Sequence, residues 1–408
     1  MPSTQAFSLT DLTGQFADWL ALHALPTWAA AGQTQAGVFR EALTLDGQPV
    51  IRPRRGRVQT RQAYVYAQAG LLGWQGPWRE AASRGLDVLR RDFARPDGLC
   101  RTLVSEDGAP LDETVMVYDQ AFALLALATA KRAGLTDPSH EAWAVAIREG
   151  LLARPSPHGG VPESGDQPYQ ANAHMHLLEA CLAWESAGGD AGWARLSDQI
   201  VDLALTHFID AEGGFLREFF TADWSPAPGT DGRLVEPGHQ FEWVWLLTLY
   251  GRARRSPAAL DAARRLYDVG LTGVSATSGL VMDALEEDGS VRRPGSRLWP
   301  QTEWLKAALI LAEDDEAGSE ARETRLREAR QALGSLFRYL TPEGLWRDQY
   351  DGASADKGFV DEPAPASSLY HIMVAFLQLT LSQAQPKGTD AALASTGKFG
   401  DRPHQKGA

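Results

Sequence analysis

Six short signals, each a glycine followed by an apolar residue, recur through the 408-residue chain at nearly even spacing. They are Gly37-Val38-Phe39, Gly98-Leu99, Gly160-Val161, Gly214-Phe215, Gly279-Leu280 and Gly344-Leu345, separated by 61, 62, 54, 65 and 65 residues. Most lie in a short stretch with polar turns at one or both ends, such as "PDGLCRTLVSEDG", "AEGGFLREFF" and "PEGLWRDQYDG". That pattern predicts a small hairpin or extended loop.

Between the loops the sequence turns helical, in pairs. The first stretch of a pair, such as "VYDQAFALLALATAKRAG" (117–134), is alanine-rich and apolar nearly all round, so it is buried. The second, such as "WREAASRGLDVLRRDF" (78–93), has one apolar stripe and one charged face, so it lies at the surface. Twelve helices are predicted, near 9–32, 57–75, 77–95, 112–134, 138–153, 168–187, 190–209, 237–254, 256–271, 299–313, 320–340 and 364–384. The expected class is all-α, a closed (α/α)6 barrel spanning 1–384, with an open helical solenoid as its competitor. Closure is favoured because the first helix has no obvious polar outer cap and six pairs suffice for a ring.

Composition narrows the function. The chain is 44% hydrophobic and 22% charged with a net charge of −13, which is globular and disfavours nucleic acid or an anionic membrane as partner. The one dense basic run, "RPRRGR" (52–57), reads as a solvated loop or, alternatively, an anionic-substrate contact. Cys100 and Cys181 have no motif spacing and read as plain thiols. No signal peptide or membrane span is evident, so a cytoplasmic monomer or homodimer is expected. From Gln385 to Ala408 the chain is small, polar and aperiodic, and is expected to be a disordered tail.

The unusual polar residues fall near the starts of the buried helices. Arg61, Tyr118, Asn172 with His176, His239 with Glu242, Trp299 with Glu303, and His371 all do so, and pairs three or four apart share a face. In a barrel of parallel inner helices these ends gather at one mouth, where the helix N-termini favour negative charge. His239 and Glu242 are expected to face the axis, with Glu242 orienting the imidazole, while Phe241, Val244 and Trp245 pack on neighbouring helices. His174, two residues from His176, points to another face. Glu303 is either a surface partner of Lys306 or an inward carboxylate.

No phosphate loop, dinucleotide fingerprint, zinc-protease helix or CxxC pair is present. A metal site is disfavoured by the lack of a dense carboxylate set, and no cofactor is expected. Histidine suits removal of a proton from carbon beside a carbonyl, and arginine suits the oxyanion that forms. Two histidines on opposite inner helices with an arginine between would serve aldose–ketose isomerisation or C2 epimerisation of a monosaccharide. The rivals are an (α/α)6 glycoside hydrolase, with Glu242 and Glu303 as its carboxylates, and a non-catalytic sugar-binding protein.

The stretches "VQTRQAYVYA", "NAHMHLLEA", "EPGHQFEWVWLL", "RLWPQTEWLKA" and "SLYHIMVAF", in that order over residues 58–376, resemble the N-acylglucosamine 2-epimerase superfamily and its D-mannose isomerase-like branch. The resemblance implies an (α/α)6 barrel, with His239 and His371 as the acid/base pair and Arg61 at the enediolate oxygens. It further implies that Glu242 and Glu303 orient the histidines or the sugar, that His176 assists catalysis, and that Tyr118, Asn172 and Trp299 shape the pocket. The mannose-isomerase branch implies a mannose–fructose interconversion, with 2-epimerisation as the alternative.

Overall fold

The computed structural model describes residues 8–353 and 358–384, so the expectation for the tail from Gln385 falls outside it. Its helices are α1 (Leu9–Trp19), α2 (Leu25–Ala30), α3 (Gly56–Leu71), α4 (Trp78–Val88), α5 (Val117–Arg132), α6 (Pro138–Leu152), α7 (Ala171–Ser186), α8 (Ala191–Leu203), α9 (Pro237–Arg254), α10 (Pro257–Thr272), α11 (Trp299–Asp314), α12 (Glu320–Phe337) and α13 (Ser368–Ala384). A π turn over Leu20–Ala24 joins α1 to α2 as one rod, which makes twelve rods among the described residues. Three inner helices start later than the apolar period suggests, at Val117, Ala171 and Ser368. The residues ahead of them (Pro110–Asp112, Tyr169–Gln170 and Ala364–Pro365) are drawn into short strands instead.

Helices α3, α5, α7, α9, α11 and α13 form the inner ring, each packed on the next, and α13 returns to α3. At that closure the Gln62 amide donates to the Ala366 carbonyl at 2.6 Å, and Tyr64 meets Tyr370 edge-on at 5.3 Å. The strand Ala42–Leu43 also pairs with Ala364–Pro365, tying the first loop to the entry of the last inner helix. Outer helices show the expected stripe. α8 buries Trp193, Leu196, Ile200 and Val201 and leaves its charged face in water.

Side-chain caps mark most of the outer ring, α4 excepted. The outer helices α6, α8, α10 and α12 are capped by Asp137, Asp190, Ser256 and Ser319. The inner helices α3, α5, α7, α9 and α11 have no side-chain hydrogen bond from their N-cap residue. Their positive dipole ends therefore gather at the mouth, where Glu163 accepts from the Val117 and Tyr118 N–H groups at the start of α5.

The six repeated glycines share one conformation. Gly37, Gly98, Gly160, Gly214, Gly279 and Gly344 all have φ between 69 and 84°, a region in which a Cβ is strained. The residue after most of these turns is then held by an amide on the following inner helix. The Gln59 side chain accepts from Phe39 N–H at 3.0 Å and donates to its carbonyl at 2.7 Å. Gln120 does the same at Cys100, and Gln301 at Val281. Gln240 does the same at Leu216. In the third repeat His174 takes this place, with Nε2 accepting from Val161 N–H at 2.9 Å and Nδ1 against the Gln170 carbonyl at 2.8 Å. His174 thus turns away from His176, as its sequence offset predicts. In the sixth repeat the Thr341 hydroxyl accepts from Leu345 N–H.

These clamps satisfy backbone groups buried where helix meets loop. Replacing Gln120 by Leu leaves the N–H and carbonyl of Cys100 unpaired, at about 1–3 kcal/mol for each group. We expect denaturant unfolding of that variant to report about 2–4 kcal/mol lost. His174 adds an acid sensitivity: burial lowers its pKa to about 4, only partly offset by the Gln170 carbonyl. Between that value and the ordinary ~6.5 the unfolded chain binds more protons, so stability falls as pH falls across this window. His174→Gln should remove that part of the slope, roughly 3 kcal/mol at most, measured by urea unfolding at pH 7 and pH 4.5.

Candidate active site

A cavity of about 310 Å³ opens at the N-terminal ends of the inner helices. Its lining includes Arg61 of α3, Tyr118 of α5, Asn172 and His176 of α7, His239 and Glu242 of α9, Trp299 of α11 and His371 of α13. Eight of the nine residues singled out in the sequence thus meet at one place. Glu303 is the ninth and does not line the cavity. It is fully buried behind His371, with Oε1 3.0 Å from His371 Nδ1 and Oε2 2.5 Å from Lys306 Nζ. The Glu303–Lys306 pair therefore exists, but in the core rather than at the surface.

Two expectations need correction. The histidines are not on opposite inner helices: α9 and α13 flank α11, and the Trp299 ring lies between them, 5.1 Å from His239 and 5.7 Å from His371. Nor does Glu242 hold the His239 ring. Glu218, from the loop ahead of α9, lies 2.9 Å from His239 Nδ1, because Nδ1 points toward that loop rather than along the helix. Glu242 lies 3.8 Å from His176 Nδ1 instead. Phe241, Val244 and Trp245 are buried against neighbouring helices as expected.

Several lining residues went unmarked in the sequence: Glu218, Phe219, Gln170, Glu236, Arg297, Asp348, Ser367 and Ser368. Glu218 carried a signal, a lone carboxylate inside the apolar run "FLREFF". Glu236 pairs with Arg293 at 3.1 Å and Arg297 at 3.4 Å, and Arg297 in turn lies over the Trp299 ring. The Ser368 hydroxyl donates to Asp348 at 2.6 Å. The basic run is mostly structural, since Arg54 pairs with Asp92, Arg55 with Glu41 and Arg57 with Asp119. Arg55 and Arg57 nonetheless wall a recess that continues from the cavity past Arg61 and Tyr118.

Arg61 is only 5% exposed, and its guanidinium stacks 4.0 Å from the Phe122 ring. It donates to the Tyr118 hydroxyl at 2.5 Å and the Ser367 carbonyl at 3.4 Å. Among the described residues no carboxylate lies within 4 Å of it, so its buried charge faces the cavity uncompensated.

The histidines are pushed apart electrostatically. Burial lowers the pKa of His239, but Glu218, Glu236 and Glu242 together outweigh it and raise the pKa to about 9. Burial likewise lowers that of His371; the Glu303 hydrogen bond opposes the shift, Arg61 and Lys306 reinforce it, and the pKa stands at about 4. His176 is also lowered to about 4, chiefly by burial. Near pH 7 the cavity therefore holds one imidazolium, His239, beside the neutral His371, the arrangement of an acid and a base.

Two groups of three could offer ligands to a metal, His176/Glu179/Glu242 and Glu242/Glu303/His371. Glu179 and Glu303 are already engaged, with the Tyr370 hydroxyl donating to Glu179 and the Lys306 ammonium against Glu303, while Glu242, shared by both groups, lies 3.8 Å from His176. A divalent ion at the second group would have to bind beside a buried ammonium, which fits poorly. Cys100 and Cys181 are buried free thiols, and no helix among the described residues is long and apolar enough to cross a membrane.

The sequence profile of N-acylglucosamine 2-epimerase (GlcNAc 2-epimerase) matches residues 37–375. The chain is 44% identical over 384 residues to the mannose-6-phosphate isomerase of Rhizobium meliloti (strain 1021), covering 90% of this chain and 96% of that one. It is 30% identical over 336 residues to the D-mannose isomerase of Thermobifida fusca, covering 75% and 80%. A crystal structure of D-mannose isomerase superposes with a TM-score of 0.78 at 22% identity, covering 92% of this chain and 99% of that one. With the profile spanning most of a closed six-pair ring, the chain belongs to the N-acylglucosamine 2-epimerase family.

Proposed function

We propose that this enzyme interconverts an aldose and a ketose of the D-mannose/D-fructose type through a cis-enediolate. The observation that carries the reading is the pair of buried histidines on either side of Trp299, each with Nδ1 against a buried glutamate, in surroundings that push their pKa values apart. With Glu303 ionised, His371 donates its Nδ1 proton to the carboxylate and keeps the Nε2 lone pair for the C2 proton of an open-chain aldose. The uncompensated Arg61 charge stabilises the enediolate oxygen. The proton returns to C1, a hydroxyl proton moves from O2 to O1, and the ketose results. His239, as imidazolium, supplies the proton that opens the sugar ring. Trp299 offers an apolar face to the sugar, and Tyr118 and Asn172 offer polar contacts. On this reading no metal takes part, so dialysis against EDTA should leave turnover unchanged; a loss restored by a divalent metal would overturn it.

General acid–base catalysis contributes about 10²–10⁴-fold, so His371→Asn and His239→Asn should each lose at least about a hundredfold in kcat. Full activity in either variant removes the two-histidine scheme. The pH profile follows from the same pair. kcat/KM requires His371 neutral and His239 protonated, so it rises as pH passes the His371 value near 4 and falls as it passes the His239 value near 9. A profile with its acid limb near 6.5 contradicts this assignment.

Isomerase and epimerase share the first step and diverge in where the proton returns. The similarity to D-mannose isomerases favours delivery to C1, so mannose should give fructose first. Glucose appearing first with no fructose would establish a 2-epimerase.

The recess walled by Arg55, Arg57 and Arg61 supports acceptance of a phosphorylated hexose as well. A hydrogen bond to a charged group contributes about 1.5–3 kcal/mol, tenfold or more in binding. Arg57→Ala should therefore raise KM for mannose 6-phosphate by about tenfold or more and leave that for mannose within about twofold. Equal changes for both sugars would make Arg57 a structural partner of Asp119 only.

A further inference from the structure

Both active-site histidines meet a buried glutamate through Nδ1 at nearly the same distance, 2.9 Å for His239–Glu218 and 3.0 Å for His371–Glu303. Two dyads of equal geometry should behave alike unless something behind them differs. What differs is Lys306. One turn along α11 from Glu303, it is fully buried, with its ammonium 2.5 Å from the second oxygen of Glu303 and 4.2 Å from the Trp245 ring centre. Glu218 has no such cation. Its Oε1 is buried without a hydrogen-bond partner, and among the described residues its one ion pair is with His239.

Charge balance then assigns the protons. With Lys306 and Glu303 both ionised, a neutral His371 leaves the group at zero net charge, and protonating it would bury an uncompensated positive charge. At the other dyad a neutral His239 would leave Glu218 as an uncompensated buried anion, whereas an imidazolium balances it. Uncompensated buried charge is the costlier state in each case. Groups facing Lys306 from the other inner helices do not reverse this. Glu242 of α9 and Glu179 of α7 favour its ammonium form, and Glu242 is itself held well above the usual carboxylate range, by burial first and then by Glu303. From α3, Arg61 adds positive charge that disfavours a protonated His371.

We propose that Lys306 is a positioning residue for proton transfer: by neutralising Glu303 it keeps His371 the base of the pair and leaves the acid role to His239. This rests on the reading of the two histidines as the acid/base pair. Lys306 does not line the cavity, so it acts through the groups in front of it, Glu303 and His371 first.

Lys306→Met keeps most of the side-chain volume and removes the charge. In that variant the acid limb of kcat/KM for mannose should move up by about half a pH unit or more, with kcat lost below about pH 6, kcat at about pH 7 nearly unchanged because His371 is still mostly neutral there, and KM within about threefold. The double variant Lys306→Met/Glu303→Gln removes both charges and should bring the acid limb back toward its original position, which loss of packing alone would not do. Histidine ring NMR, with the His371 signals assigned by His371→Asn, follows the same titration without substrate. A His371 that stays neutral down to the same pH in Lys306→Met as in the unmodified enzyme overturns the proposal. So does a double variant whose acid limb is shifted as far as that of the single one. If the unmodified enzyme fails to convert mannose, the functional reading falls, and the NMR titration still decides the role of Lys306. If Lys306→Met does not fold, the comparison of the double variant with Glu303→Gln alone decides: equal His371 titration in those two supports a role through the Glu303 charge, and unequal titration overturns it.

Discussion

The need to balance buried charge at the centre of a helical ring is the constraint on which the rest of this structure depends. Six inner helices direct their N-termini at one cavity, and at least five carry no side-chain cap from the N-cap residue. That mouth is already electropositive before any side chain is placed. Arg61, Arg297 and Lys306 add cations, and Glu179, Glu218, Glu236, Glu242, Glu303 and Asp348 answer them. Few of these groups can be removed singly without stranding a partner in low dielectric, and that interdependence fixes the rotamers of the site as firmly as packing does.

The scaffold around this centre keeps it from relaxing. Each inner helix is entered through a short extended segment, and several of these pair with the loop of the next repeat. Arg54–Arg55 meets Leu103–Val104, Tyr169–Gln170 meets Phe219–Phe220, and Ser296–Arg297 meets Gln349–Asp351. At the entry to α5 no such strand pairing forms; Glu163 reaches over to accept from the Val117 and Tyr118 N–H groups. Stitching, glycine turn and glutamine clamp lock the height of each helix start relative to its neighbours. A displacement of one helix start would misplace its site residue by a comparable distance, so the repeated elements are what hold the two histidines in register across Trp299.

The sequence displayed this architecture because its signals are local. A glycine forced to positive φ, an alanine-rich helix and an amphipathic one can each be read within twenty residues, and together they imply the ring. Residues at helix starts, such as His239 and His371, were legible for the same reason. Glu218 was not, because its partnership with His239 spans 21 residues and depends on how the loop folds back. The assignment of Glu242 to the His239 ring failed on direction: a spacing of three gives a common face, but Nδ1 points toward the loop. Lys306 was visible beside Glu303, yet its burial was not, since an i, i+3 charge pair on a helix looks the same in water and in a core.

The asymmetry of the two dyads bears on why such a ring suits isomerisation. A two-base 2-epimerase working in both directions takes a proton from one face of C2 and returns one to the other, so each of its groups must serve as base in one direction. An isomerase can use one base that moves a single proton between C1 and C2 on the same face, with an acid needed only at oxygen. Making His239 a base would mean removing a proton held chiefly by Glu218 and Glu236. Making His371 an acid would mean adding one against Arg61 and Lys306. The same ring could be turned toward epimerisation by equalising the charge behind its two histidines, with no change at any residue that touches the sugar.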